Sequence, residues 1–139
     1  MKKILLALAI ASASLVTLNS CTKEYITNTQ EGVSYVYNLK SNNWSRIGNS
    51  RTYEAVININ DLDGRYFEDG HVSVAVSLPT ASGQEATYEI IPATVLDFRY
   101  SANYSIGKVR IFADYLTDQP LNPGDMSVKV VLTDARVGN

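Results

Sequence analysis

The chain has 139 residues, of which 45% are hydrophobic and 19% are charged, and its formal net charge is −2 at pH 7. This length allows one domain with a sizeable core, and a single cysteine rules out disulfide bonds within the chain. The charges are scattered, whereas a nucleic-acid-binding face needs clustered Lys and Arg, so no nucleic-acid partner is expected.

Residues 1–20 have the parts of a secretory signal peptide. Lys2 and Lys3 form a positively charged N-terminal region, residues 4–16 are largely apolar, and small residues lie before the expected cleavage site at Cys21. The apolar stretch is shorter than the ~20 residues that a membrane-spanning helix requires. The pattern therefore predicts an export signal that is removed.

The four residues Leu18-Asn19-Ser20-Cys21 resemble the lipobox of bacterial lipoproteins. A lipobox has an aliphatic residue, a small residue, then Gly, Ala or Ser before the cysteine, and Asn19 is bulkier and more polar than is usual at its position. The resemblance implies that Cys21 becomes the first residue of the mature protein and carries acyl chains such as palmitate. The alternative is a secreted protein with a spare thiol. Lipid attachment is preferred because every element has the right spacing.

Residues 21–32 are polar and predict a lipidated tether below a folded domain. Removal of residues 1–20 leaves 119 of the 139 residues, with 10 basic and 14 acidic side chains. Enteric lipoproteins kept in the inner membrane have Asp after the cysteine, and resemblance to that rule, with Thr22 here, implies the outer membrane. Lys23-Glu24 resembles a minimal form of the acidic patch of surface-exported lipoproteins. It implies an outward-facing domain, and a periplasmic orientation stays open.

Residues 33–139 show a hydrophobic period of two, which is typical of half-buried strands. Five strands are predicted, each with one face toward a core. The core-facing positions are Val33, Tyr35, Tyr37 and Leu39; Tyr53, Ala55, Ile57 and Ile59; Val72, Val74, Val76 and Leu78; Val109, Ile111, Ala113 and Tyr115; and Val128, Val130 and Leu132. Thr87–Ile91 and Val95–Tyr100 are weaker candidates separated by Pro92, which cannot donate to a strand ladder. About seven short strands predict an all-β fold, a single small antiparallel β-sandwich.

Residues 60–70 do not alternate and predict a short helix or helical turn. Either of the first two residues, Asn or Asp, can cap its start, and Gly70 can close it in the left-handed conformation. Leu62 and Tyr66, one turn apart, are predicted to face the sheet.

Five features occur in a recognisable order along the domain. They are Trp44 after the first strand, the aromatic-rich Arg51–Asn60, Gly70-His71-Val72-Ser73-Val74, Tyr104-Ser105-Ile106-Gly107-Lys108-Val109-Arg110-Ile111, and Val128-Lys129-Val130-Val131-Leu132. This order resembles a family of small uncharacterised Bacteroidota lipoproteins with a C-terminal β-domain. The resemblance implies a lipid anchor and a β-domain and brings no catalytic residues. Many members also carry a collagen-like tract, which is absent here, so no trimeric stalk is implied.

The acidic turn around Asp61 and Asp63 is similar in pattern to a calcium loop, but both end positions of an EF-hand-type loop lack their ligands. A looser site that adds Glu68 or Asp69 stays open. The preferred interpretation is a capped turn with solvated acids. His71 is the only histidine, so a zinc site lacks partners for it, and no nucleophile motif accompanies it as in a catalytic triad. It is predicted to be a surface residue.

Nine tyrosines and one tryptophan raise the question of a sugar-stacking or protein-binding surface. The candidates are Tyr35, Tyr37, Tyr53, Tyr66, Tyr88, Tyr100, Tyr104, Tyr115 and Trp44. The preferred interpretation is that these rings pack within a half-buried sheet while their hydroxyl groups stay hydrated.

The sequence therefore predicts a non-catalytic, lipid-anchored cell-envelope protein with a binding or structural role, without a metal or cofactor. Its expected partners are the membrane, through lipid on Cys21, and an unidentified glycan or envelope protein. The alternative is a surface carbohydrate-binding module that uses exposed aromatic rings. A small hydrolase with paired carboxylates is less favoured, because one small domain shows no long active-site loops. An exposed aromatic strip would indicate a carbohydrate-binding module, and a pocket with perturbed carboxylates would indicate an enzyme.

Overall fold

The computed structural model describes residues 32–135, which form two antiparallel sheets and confirm the predicted all-β sandwich. The strands are β1 (Gly32–Leu39), β2 (Ser45–Arg46), β3 (Thr52–Asn58), β4 (His71–Ser77), β5 (Glu89–Ile90), β6 (Ala93–Val95), β7 (Phe98–Ser105), β8 (Lys108–Tyr115) and β9 (Met126–Thr133). One helix, α1 (Gly64–Glu68), and a 3₁₀ turn (Ser41–Asn43) are also present. The predicted signal peptide and Cys21 lie outside the described residues, as does the predicted tether except for Gly32, which begins β1.

The first sheet has the strand order β1-β9-β4-β5, and the second has the order β2-β3-β8-β7-β6. The last strand, β9, lies between the first strand and β4, so that Tyr35 and Val74 both pair with Val130. Since these partners are far apart in the chain, the first sheet can form only after most of the domain has been synthesised.

The core lies between the two sheets and is built from the alternating positions that the sequence predicts. All predicted core positions in and just beyond β3, β4, β8 and β9 are buried, except Leu78, which is partly buried. In β1, Leu39 is buried and Tyr35 and Tyr37 are partly buried. Val33 is 37% exposed, so the prediction that it faces the core was wrong. It lies near the beginning of β1, which is an edge strand. Each buried Val, Leu or Ile contributes ~1.5–3 kcal/mol, so this alternation is the main source of stability.

The segment Val95–Tyr100, predicted as one strand, is divided between two. β6 ends at Val95 and β7 begins at Phe98, and these two residues pair across a tight turn. Leu96, the first residue of that turn, has a φ of 52°. The prediction was wrong because this turn contains no Gly, Pro or Asn to interrupt the apolar alternation.

Other short strands also differ from the prediction. Thr87–Ile91 contributes only the two residues of β5, and Pro92 marks the point where the chain passes from the first sheet to the second. β2 was not predicted because two residues are too few to show alternation. The described residues therefore form nine strands, where about seven were expected.

α1 begins later than the sequence predicts. Asp63, and not either of the first two residues of the segment, caps the helix: its Oδ1 accepts hydrogen bonds from the N–H groups of Arg65 and Tyr66 at 3.0 and 3.2 Å. Leu62 and Tyr66 are buried, as predicted. The apolar spacing thus located the packed face, while three nearby Asn and Asp residues left the capping residue undecided.

Gly70 follows α1 but does not adopt the predicted left-handed conformation. Its importance is steric, because a Cβ at this position would lie 2.7 Å from the carbonyl oxygen of Thr133 and 2.9 Å from the Cα of Tyr66. The backbones of α1 and β9 therefore approach too closely for any side chain between them.

We expect Gly70→Ala to destabilise the domain by about 1–3 kcal/mol, because the added methyl group must push two backbone segments apart. Gly64→Ala is the matched control, since a Cβ at position 64 meets nothing within 4 Å and alanine favours the helical conformation. Urea unfolding of both variants measures the difference. Equal unfolding midpoints for the two variants would contradict the steric role of Gly70.

Candidate functional site

The two ends of the sandwich differ in character. At one end, Gly32 of β1 pairs with Thr133 of β9, which also pairs with His71 of β4. This end is called the tether end because the tether predicted from the sequence would precede Gly32. The opposite end, called the loop end, consists of residues 40–44, 47–51, 78–88, 96–97 and 116–125. The eight residues of β1 separate the two ends, which is ~27 Å at ~3.4 Å per residue.

The loop end contains an open hollow of about 360 Å³ with largely apolar walls. Its apolar lining comes from Leu78, Pro79, Val95, Leu96, Phe98, Tyr100 and Leu121. Leu96 is 79% exposed, and Leu116 and Leu121 nearby in the loops are exposed as well. Burial raises the pKa of Tyr100 to about 12, although a tyrosine hydroxyl group is protonated at neutral pH without this shift. Because its walls are largely apolar, the hollow suits an uncharged, largely apolar group, with the carboxylates of Asp97 and Asp125 at its margin.

Hydrogen bonds hold the loops of this end to one another. Asp125 accepts hydrogen bonds from Nζ of Lys40 at 3.0 Å and from the backbone N–H of Ser41 at 2.9 Å. The hydrogen bond from Lys40 lowers the pKa of Asp125 most, and the bond from the Ser41 backbone lowers it further. The backbone N–H of Leu116 donates to the carbonyl oxygen of Asp97 at 2.8 Å. These bonds join residues 116–125 of the loop end both to residues 40–44 and to residues 96–97.

A second hollow of about 420 Å³ lies next to the first and shares Leu78, Pro79 and Asp125 with it. Its remaining lining is mixed in polarity and includes Lys40 and Met126. Leu78 and Pro79 line both hollows, so the surface of the loop end is concave on both sides of these two residues.

The outer face of the second sheet carries cross-strand ion pairs. Asp114 accepts hydrogen bonds from Oγ1 of Thr52 at 2.6 Å and from Nη2 of Arg99 at 2.9 Å. The hydrogen bond from Thr52 lowers the pKa of Asp114 most, and the bond from Arg99 lowers it further. Arg110 and Glu54 form a second pair at 3.4 Å. The lowered pKa keeps Asp114 ionised, which is the opposite of what a general acid needs. Both pairs join neighbouring strands of the second sheet.

The acidic turn has structural roles that the sequence only partly suggests. Asp63 caps α1, and Asp61 accepts a hydrogen bond from the hydroxyl group of Tyr35. That bond raises the pKa of Tyr35 to about 12 and links β1 of the first sheet to the segment after β3 of the second. Within residues 32–135, no three His, Cys, Asp or Glu side chains form a group that could hold a metal ion.

The structure places most of the candidate aromatic rings in the core. Trp44, Tyr53, Tyr66, Tyr100 and Tyr115 are buried. Tyr35, Tyr37 and Tyr104 are partly buried, and Tyr88 is 38% exposed with Nζ of Lys129 lying 4.0 Å from its ring centroid. The candidate rings therefore do not form an exposed strip, and the preferred interpretation of packed rings fits the structure.

His71 is exposed at the start of β4, as the sequence predicts. It lines a smaller hollow of about 300 Å³ between the two sheets, together with Ser73, Ala102 and Tyr104. The hollow forms because β5 pairs only with Ala75 and Val76 of β4, which leaves the first half of β4 as an open edge.

No protein-family model matches the chain, and neither a curated protein nor a solved structure matches it significantly. In the part of the chain that the structure describes, no helix has the length and hydropathy needed to cross a bilayer. The exposed leucines of the loop end are the residues that sequence reasoning missed. Leu96 falls within an apparently continuous strand pattern, and Leu116 directly follows the last residue of another. Leu121 belongs to the segment Leu121-Asn122-Pro123-Gly124, whose composition indicates a loop, but no sequence signal places these three leucines at the same end of the domain.

Proposed function

We propose that this protein is a non-catalytic lipoprotein of the cell outer membrane, anchored by lipid on Cys21, which binds an envelope partner through its loop end. The signal-peptide pattern of residues 1–20 and the lipobox that ends at Cys21 support the anchor. Thr22 supports the outer membrane, and Lys23-Glu24 supports an outward-facing domain, both by resemblance to sorting rules.

The position of the exposed leucines supports the binding role. Leu96 and Leu121 are exposed and line the loop-end hollow, and exposed Leu116 is hydrogen-bonded through its backbone to Asp97 of the lining. Gly32, the first described residue of β1, lies at the opposite end. A clustered apolar surface is unfavourable in water and typically marks a contact site. A tether that precedes Gly32 would present this surface away from the membrane in which the lipid lies.

The alternative of a carbohydrate-binding module requires rings that are free to stack on sugars. Five of the nine candidate aromatic side chains are buried, and Tyr88 is covered in part by Lys129. This distribution favours the loop end over an aromatic strip as the contact surface. The lowered pKa of Asp114 likewise gives no support to the less favoured hydrolase.

Photocrosslinking in intact cells tests the proposed binding surface. A photoreactive amino acid replaces Leu96 in one variant and Ile106 in a matched control. Both residues are exposed, at 79% and 57%, and each lies in a two-residue turn at one end of β7. Position 96 is at the loop end and position 106 is at the tether end, so we expect discrete crosslinked products at position 96 only.

The same experiment has two outcomes that would overturn the proposal. Equal products at both positions would show non-specific proximity, and products at neither would remove the loop end as a contact surface. Palmitate labelling of the same cells confirms that both variants are exported and lipidated.

A further inference from the structure

Two arginines of the β2–β3 hairpin, Arg46 and Arg51, approach the ring of one buried tyrosine, Tyr115. Their guanidinium carbons lie 5.9 and 5.2 Å from the ring centroid. Arg46 is fixed by two hydrogen bonds: Nε donates to the carbonyl oxygen of Ser50 at 2.8 Å, and Nη2 donates to Oη of Tyr115 at 3.1 Å. Both arginines are exposed, so their remaining N–H donors face solvent.

Neither arginine has an acidic partner among residues 32–135. The other arginines of that range do, in the pairs Arg65–Asp134, Arg99–Asp114 and Arg110–Glu54. The nearest acidic residue along β8, Asp114, is already occupied by Arg99 and Thr52. Two positive charges held on one ring without a counter-charge repel each other, and a bound anion would relieve that repulsion.

We propose that Arg46 and Arg51 form a binding site for an oxyanion, and that its ligand is the acidic group of a charged polysaccharide. A guanidinium group presents its N–H donors in a planar fork that matches carboxylate and sulfate oxygens. The two hydrogen bonds of Arg46 fix its guanidinium group before a ligand arrives, so binding costs less side-chain conformational entropy. Exposed Ile47 and Leu116, each adjacent in sequence to a residue of the site, offer apolar contact to a sugar ring.

The number and position of the cations favour a polysaccharide over other polyanions. Anionic membrane surfaces are bound by clusters of roughly 4–8 basic residues, and nucleic acids by many phosphate contacts, whereas two arginines match one acidic group. The hairpin turn lies at the loop end, which a tethered domain presents away from its membrane. The choice of a polysaccharide rests on the proposed function, while the anion site itself rests on the arginine geometry.

Titration of the lipidated protein in a neutral detergent tests the site. The ligands are trigalacturonate, which carries carboxylates, and its fully methyl-esterified form, which is neutral. We expect the wild type to bind the acidic trisaccharide and not the ester, with affinity that falls as salt rises. Arg51→Gln should weaken binding about tenfold or more, since a charged hydrogen bond is lost, and the Arg46→Gln/Arg51→Gln double variant should abolish it. Lys108→Gln, at the tether end, is the control and should bind as the wild type does.

Several outcomes separate the possibilities. Inorganic sulfate should compete with trigalacturonate, which shows that the charged group is what the site recognises. Unchanged affinity in Arg51→Gln, a variant that keeps the hydrogen bonds of Arg46, would overturn the site. Binding to phosphatidylglycerol vesicles but not to trigalacturonate would overturn the polysaccharide. Crosslinks at position 96 are independent of this titration, so their absence would remove the proposed contact at the loop-end hollow and leave the anion site standing.

Discussion

Val74→Asp should unfold the domain, whereas Ser73→Asp should change its stability by about 1 kcal/mol or less. Val74 is buried on the inner face of β4 opposite Val130, and its replacement removes apolar burial and places a carboxylate without a partner in the core. Such a group costs several kcal/mol even when it takes up a proton, which is comparable with the total stability of a small domain, ~5–15 kcal/mol. Ser73, the preceding residue, points to the other face of the sheet.

Circular dichroism melting curves of both variants measure this difference. Loss of the folded baseline is expected for Val74→Asp and a melting temperature near that of the wild type for Ser73→Asp. Equal melting temperatures would mean that the assigned phase of β4, with Val74 on the buried face and Ser73 on the other, is wrong.

Cys21→Ser should abolish lipid attachment and stop cleavage of the signal peptide by the lipoprotein route. Each buried CH₂ group of an acyl chain contributes ~0.8 kcal/mol to membrane binding, so the several chains expected on Cys21 make release of the wild type negligible. The hydroxyl group of serine cannot form the thioether that holds the first lipid. Palmitate labelling measures lipid attachment, and the electrophoretic mobility of the chain measures cleavage.

Asn19→Ala is the matched control for this substitution. It keeps the cysteine and brings position 19 closer to the lipobox pattern, so labelling should equal or exceed that of the wild type. Palmitate incorporation into Cys21→Ser would show that the lipobox interpretation is wrong. Loss of labelling in Asn19→Ala would show that the signal depends on more than the four residues of the motif.

The buried faces of the main strands could be predicted because they depend on local geometry. Side chains alternate between the two faces of a strand, so Val72, Val74 and Val76 belong together whatever lies opposite. The same reasoning failed at Leu96, because a tight turn that uses neither Gly nor Pro keeps the alternation and reverses the chain. It failed at Gly70 for a different reason: the need for glycine comes from Thr133, which is 63 positions away in the sequence.

The candidate sites depended on contacts that no local pattern contains. Tyr35 of β1 donates a hydrogen bond to Asp61, 26 residues later in the chain, and Arg46 donates one to Tyr115, 69 residues later. The leucines of the loop end come from two connections, the β6–β7 turn and residues 116–125, and they lie at one end only because β7 begins where β8 ends.

The sequence by itself determined the export signal pattern with its candidate lipidation residue, the all-β class and the phase of the principal strands, because each of these is encoded in residues adjacent or two apart. Within residues 32–135, the tertiary structure alone decided which end of the domain lies opposite Gly32, where the leucines lie and which arginines have no acidic partner. These properties depend on which strands pair, and the central position of β9 between β1 and β4 is set by burial of the whole core and not by any single segment.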